Sequence, residues 1–140
     1  MRLGRNAKVE LIRRVPLFAR CSRSELAEVA QIADEIDLRE GKEMTTQGSR
    51  GREFFVLLEG TADVKKDGRR INRLEGGDFF GEIALVSDTP RTATVTATSP
   101  VRALVITDRS FKRLLRDAPE IQAKVLSALA ERLAPSWPSY

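Results

Sequence analysis

The chain of 140 residues contains no histidine and a single cysteine, Cys21. Without histidine, Ser-His-Asp and Cys-His nucleophilic catalysis is excluded. Zinc, copper and haem centres built on their usual imidazole and thiolate ligands are not expected. One cysteine cannot close an internal disulfide, which suits a reducing cytosol. Aromatic residues are scarce, at 6%. No apolar run approaches the ~20 residues of a membrane span. The opening stretch MRLGRNAKVELIRRV is basic but lacks the apolar run of a signal peptide. Together these absences predict a soluble, cytoplasmic protein with no cofactor, no metal and no membrane partner. Catalysis by carboxylates or lysine remains open, with half of the usual enzymatic toolkit missing.

What is present is ordinary for a globular chain. Hydrophobic content is 41% and charged content 31%, and the length fits one domain with one core. The net charge is +4, from 24 basic and 20 acidic residues. Pairs such as Arg13–Arg14, Lys65–Lys66 and Arg69–Arg70 are spread along the chain. That spacing reads as a solvated surface rather than a phosphate-backbone stripe, so no nucleic-acid partner is expected.

Periodicity divides residues 1–140 into helical, β and helical stretches of one domain, at 1–34, 35–107 and 108–134. Residues 6–14 could form a short helix on Val9, Leu11 and Ile12, broken at Pro16. CSRSELAEVAQIADEI reads as a helix. Ser22 and Glu25 have capping-box spacing, and Leu26, Val29, Ala30 and Ala33 share a face. Between Ile36 and Ile106, eight of the nine glycines punctuate short apolar runs. Asp67–Gly68 is a strong hairpin signal. About eight short strands joined by tight turns predict a mainly β, jelly-roll-like barrel with flanking helices. The helical period returns at Asp108, a candidate N-cap, with Phe111, Leu114 and Leu115 on one face. Pro119 suits a first helical position, and Ile121, Val125, Leu129 and Leu133 follow as an apolar stripe that Pro135 ends.

The most informative stretch is FFGEIALVSDTPRTATV, Phe79–Val95. Glycines at 76, 77 and 81 let the backbone bend and approach a ligand. Gly81–Val86 could make one or two helical turns, whose N–H groups would favour an anion. Arg91 offers a fork for phosphate oxygens, and Glu82 is an acceptor suited to ribose hydroxyls. Glu82 would repel a phosphate, so the two side chains suit opposite ends of one ligand. A phosphate joined to a ribose satisfies both. A structural Glu82–Arg91 ion pair near the surface, worth under ~1 kcal/mol, explains the same residues equally well.

The run FGEIALVSDTPRTATV resembles the phosphate-binding cassette of the cyclic nucleotide-binding domain family, without gap or departure at a key position. VPLFARCSRSEL, GREFFVLLEGTADV, LEGGDFFGE and FKRLL also resemble the family. The resemblance implies an eight-stranded jelly-roll (double-stranded β-helix) with a C-terminal helical lid. Glu82 would take the ribose 2′-hydroxyl and Arg91 the cyclic phosphate. Gly81, Ile83 and Ala84 would offer backbone N–H groups, and Thr92 its N–H or hydroxyl. Cyclic AMP is the favoured ligand. A hydroxyl residue after the arginine raises cyclic GMP, although Thr92 also suits a plain strand. The last helix, about Glu120–Ala134, would close over the base through Leu129, Arg132, Leu133 or Trp137, or serve only as core packing.

The expected function is therefore a regulatory sensor that acts on a protein effector or through self-association. A cyclic GMP-selective module and a ligand-free interaction module of the same fold are the alternatives, and an intact Glu82 and Arg91 argue against the second. A cupin-type enzyme is disfavoured, because that chemistry usually needs a histidine-held metal.

Overall fold

The computed structural model describes residues 2–133, with the backbone alone at 132 and 133. The chain divides into two compact units. One is residues 32–111, and the other is formed by the flanking segments, up to Gln31 and from Lys112 onward.

The inner unit is β-structure. Its strands are β1 (Asp34–Leu38), β2 (Glu43–Thr45), β3 (Glu53–Glu59), β4 (Ala62–Lys66), β5 (Arg69–Leu74), β6 (Phe79–Phe80), β7 (Thr94–Ala97) and β8 (Val101–Thr107). They form two four-stranded antiparallel sheets, ordered β1-β8-β3-β6 and β2-β7-β4-β5. Leu57, Ala62, Leu74, Val95, Ala97, Val101 and Ala103 gather side chains of both sheets into one core cluster. This is the expected jelly-roll, with hydrogen bonding divided between two sheets rather than closed into one cylinder. The central strand β3 is buried from Phe54 to Leu57 on both faces, so its apolar residues run on without alternation.

The Asp67–Gly68 signal is met by a two-residue turn. Both residues are left-handed, at φ 53° and 79°, between β4 and β5. Asp67 is the one described non-glycine residue with positive φ, a conformation aspartate tolerates in this turn type.

Helix α1 covers Arg5–Arg13 and α2 Arg23–Gln31. The capping box is formed reciprocally. Ser22 N–H donates to Glu25 Oε1 at 2.7 Å, and Glu25 N–H to Ser22 Oγ at 3.2 Å. The helix expected to run on through Ile36 stops at Gln31, and Asp34 opens β1 instead. The reason is tertiary: Asp34–Leu38 pair residue by residue with Val105–Val101 of β8, and Ile36 and Leu38 pack on the sheet core. Ala33 is buried, as expected, but outside any helix.

Helix α3 covers Asp108–Asp117 and α4 Pro119–Leu133. Asp108 is the first helical residue rather than the N-cap. Thr107 Oγ1 accepts from Ser110 N–H at 3.2 Å, and the Asp108 carboxylate pairs with Arg52 at 3.4 Å. On α4 the buried positions are Ile121, Val125 and Ala128, while Leu129 is half-buried. The stripe thus turns toward Ala128 after Val125, as a period of 3.6 requires. The Pro135 boundary lies outside the described residues.

In the helical unit, Lys124 Nζ lies 2.5 Å from Glu25 Oε1. The lysine's hydrogen bond, then that from Ser22 N–H, holds the Glu25 carboxyl below its ordinary range. The same bond raises Lys124. The pair's contribution to stability is therefore full above the ordinary carboxylate pKa of about 4.3. It is lost as pH falls through the lowered value, and again as pH rises through the raised lysine value. Glu25→Gln should lower the melting temperature at neutral pH, and the gap to the parent chain should close as pH falls through the carboxylate range. A gap that persists in acid would remove the ion pair as its cause.

Candidate functional site

The segment Phe79–Val95 enters the sheet as β6. Phe80 pairs with Phe55 and Phe79 with Val56 of β3. The Phe55 and Phe80 rings stack at 5.0 Å and 15°, and Phe54 and Phe79 meet tilted at 6.2 Å. Aromatic contact thus fixes a strand of only two residues. Gly81 then turns left-handed, with φ 83°, and Glu82–Leu85 form one 3₁₀ turn rather than α-helix. A Cβ at Gly81 would sit 2.9 Å from the Glu53 carbonyl oxygen and 2.6 Å from Arg91 Nη1. Backbone conformation and crowding therefore both demand glycine there.

The returning arm is anchored by the loop after β2. Gly48 N–H donates to the Arg91 carbonyl and Arg91 N–H to the Ser49 carbonyl, each at 2.8 Å. The buried Thr45 hydroxyl donates to the Ala93 carbonyl at 3.0 Å and accepts from Val95 N–H at 3.2 Å. At the tip, the Ser87 and Thr89 hydroxyls meet at 2.6 Å, and Thr89 N–H donates to Ser87 Oγ.

These supports aim the half-buried Arg91 side chain inward. Nη2 donates to the Glu53 carbonyl at 2.5 Å and Nη1 to the Gly81 carbonyl at 3.4 Å. Nε is buried without a hydrogen-bond partner. A Cβ at Gly51 would overlap Nε and Cζ of Arg91, so the missing side chain at Gly51 makes the slot for the guanidinium. Burial pushes the Arg91 pKa down, and the Glu53 charge offsets part of this. Arg91 forms no ion pair among the described residues, and its hydrogen bonds go to backbone carbonyls. The Glu82–Arg91 ion pair weighed from the sequence is therefore not formed.

A cavity of about 360 Å³ opens beside this arc, within the size range of small-molecule sites. Gly81, Glu82, Ile83, Ala84, Arg91 and Thr92, the six residues chosen from the sequence, all line it. Glu82 is buried, Ile83 and Thr92 are exposed, and the Ala84 N–H is already donated to the Gly81 carbonyl at 3.1 Å. Thr45, Val64, Asn72, Leu74 and Phe80 complete much of the lining. Sequence reading did not single these out. Their one signal was period-two spacing, as in Asn72 and Leu74, which shows a strand face but not what it faces. Of the proposed lid residues, Leu129 is half-buried in the helical unit. The side chains of Arg132 and Leu133, and all of Trp137, lie outside the described residues.

The cyclic nucleotide-binding domain family matches residues 35–118, the β-sheets and the cassette included. The chain belongs to that family. A cAMP-dependent protein kinase regulatory subunit of Mycosarcoma maydis is 42% identical over 113 residues, covering 72% of this chain and 21% of that protein. The chain spans about a fifth to a quarter of the length of the curated relatives it matches. Among solved structures, the N-terminal domain of a transcriptional regulator from Streptomyces coelicolor A3(2) superposes with TM-score 0.81 at 30% identity. That match covers 90% of this chain and 94% of the other. The cAMP-bound PfPKA-R structure gives TM-score 0.68 at 29% identity, over 90% and 47% of the two chains.

In this cyclic nucleotide-binding domain, Gly81→Ala should lower stability by about 1–2 kcal/mol in denaturant unfolding, from left-handed strain alone. Unchanged stability would mean the turn is free to relax.

Proposed function

We propose that the chain is a non-catalytic sensor module over residues 1–140 that binds cyclic AMP in the cassette cavity. One observation carries this reading: the Arg91 guanidinium is partly desolvated beside the cavity and held by carbonyls, and among the described residues it forms no ion pair. A cyclic phosphate supplies the missing charge and a bidentate match to the fork. Glu82, lining the same cavity, accepts from the ribose 2′-hydroxyl. The N–H groups of Gly81 and Ile83 face the sugar–phosphate. Ala84 joins them by sharing its N–H away from Gly81. The names of the relatives, a cAMP-dependent kinase subunit and a cAMP-bound regulator, favour cyclic AMP.

Thr92 supports cyclic GMP as the second reading, because it is exposed and lines the cavity. Its hydroxyl can meet the guanine amino group. The output passes to a protein effector or to self-association in the cytoplasm. Helix α4 is the element proposed to close over the base, through Leu129 or the residues that follow it.

Calorimetric titration of both nucleotides tests the site. Cyclic AMP should bind more tightly than cyclic GMP. Arg91→Ala should weaken binding by ~2–4 kcal/mol, the loss of a buried charge partner. Glu82→Ala should cost ~1–3 kcal/mol and erase preference for ribose over its 2′-deoxy analogue. Thr92→Ala should lower cyclic GMP affinity more than cyclic AMP affinity. Parent-like binding by Arg91→Ala overturns the assignment. Closure is tested separately by hydrogen exchange: nucleotide should slow exchange along α4, and equal rates with and without it reject the lid.

A further inference from the structure

The β4–β5 hairpin lies at the end of its sheet, and β5 is exposed from Arg69 to Arg73. It carries Lys65, Lys66, Arg69, Arg70 and Arg73 against Asp63 and Asp67. The two acids are already engaged. Asp63 holds Arg73 at 3.2 Å and Arg70 at 3.9 Å. Asp67 Oδ1 accepts from Gln47 Nε2 at 2.9 Å. Lys65, Lys66 and Arg69 form no ion pair among the described residues. Ile71, 59% exposed, follows Arg70 on β5, beside the Lys65–Arg70 pair. Pairing steps from Val64↔Asn72 to Lys65↔Arg70, so Ile71 is the extra residue of a β-bulge.

This combination selects its occupant. The bulge breaks the regular ladder that an added strand would need. The excess of cations repels a second copy of the same edge. Three uncommitted cations are few for a nucleic acid, where binding typically engages ~6–10 phosphates. A single apolar side chain with no aromatic neighbour on the hairpin is a poor membrane anchor. An extended acidic peptide fits both the charge and the apolar centre. We infer that the β4–β5 hairpin docks an acidic segment of a partner protein, its carboxylates on Lys65, Lys66 and Arg69 and an apolar side chain on Ile71. The inference does not depend on the nucleotide reading. It gives that reading a surface through which a partner could be engaged.

The test uses the full chain and a short fluorescent peptide of glutamates with a central leucine. A matched lysine peptide, a DNA duplex and phosphatidylserine vesicles serve as comparisons. The acidic peptide should bind, weaken with rising salt, and shift the amide signals of residues 65–73. Lys65→Glu combined with Arg69→Glu should reduce its affinity about tenfold. Ile71→Ser should reduce it about threefold at unchanged salt dependence. The proposal is overturned by no binding, by equal affinity in the double variant, or by tighter binding of DNA or vesicles through the same residues. Nucleotide titration of the double variant separates the two readings, since its cavity arginine is untouched.

Discussion

A guanidinium taken partly out of water and given only carbonyl oxygens is the constraint around which the cassette is built. Arg91 reaches the Glu53 and Gly81 carbonyls because Gly51 and Gly81 have no side chains to obstruct it. Its backbone cannot drift, because Gly48 and Ser49 grip it from both sides. Carbonyl dipoles solvate a cation without cancelling its charge, and the Glu53 charge offsets only part of the burial, so Arg91 brings an unpaired field to the cavity it lines. An internal carboxylate in the same place would have spent that field within the protein.

The separation of Glu82 from Arg91 follows from the turn between them. The outgoing arm is the 3₁₀ turn Glu82–Leu85, and the Ser87 and Thr89 hydroxyls pair at the tip before the chain returns to Arg91. Both residues line one cavity, and no ion pair joins them. On the proposed reading, a ligand carrying an anion at one end and hydroxyls at the other meets complementary groups at both. A simple phosphate meets only one, and the carboxylate opposes it. Membership of the cyclic nucleotide-binding family accords with this division of charge.

The two sheets each use one edge strand. β6, at the end of one sheet, is fastened to β3 by stacked phenylalanines and starts the cassette. β5, at the end of the other, turns Asn72 and Leu74 toward the cavity and leaves its cations exposed.

Much of the architecture was legible in local pattern. The capping box at Ser22–Glu25, the Asp67–Gly68 hairpin, the Pro119 helix start and eight short strands all depend on neighbours a few residues apart. So does the order of residues in the cassette, which made its resemblance to a family visible. The sequence by itself therefore determined the fold class, and the six residues it singled out line one cavity. It misplaced the end of α2 and the cap of α3, where β8 and Arg52, remote in sequence, compete for the same backbone and side chains. Only the tertiary structure decided that Arg91 would bind Glu53 and Gly81 rather than Glu82. That choice depends on a slot opened by Gly51, forty residues upstream, and spacing along a chain carries no record of which distant atom leaves room for another.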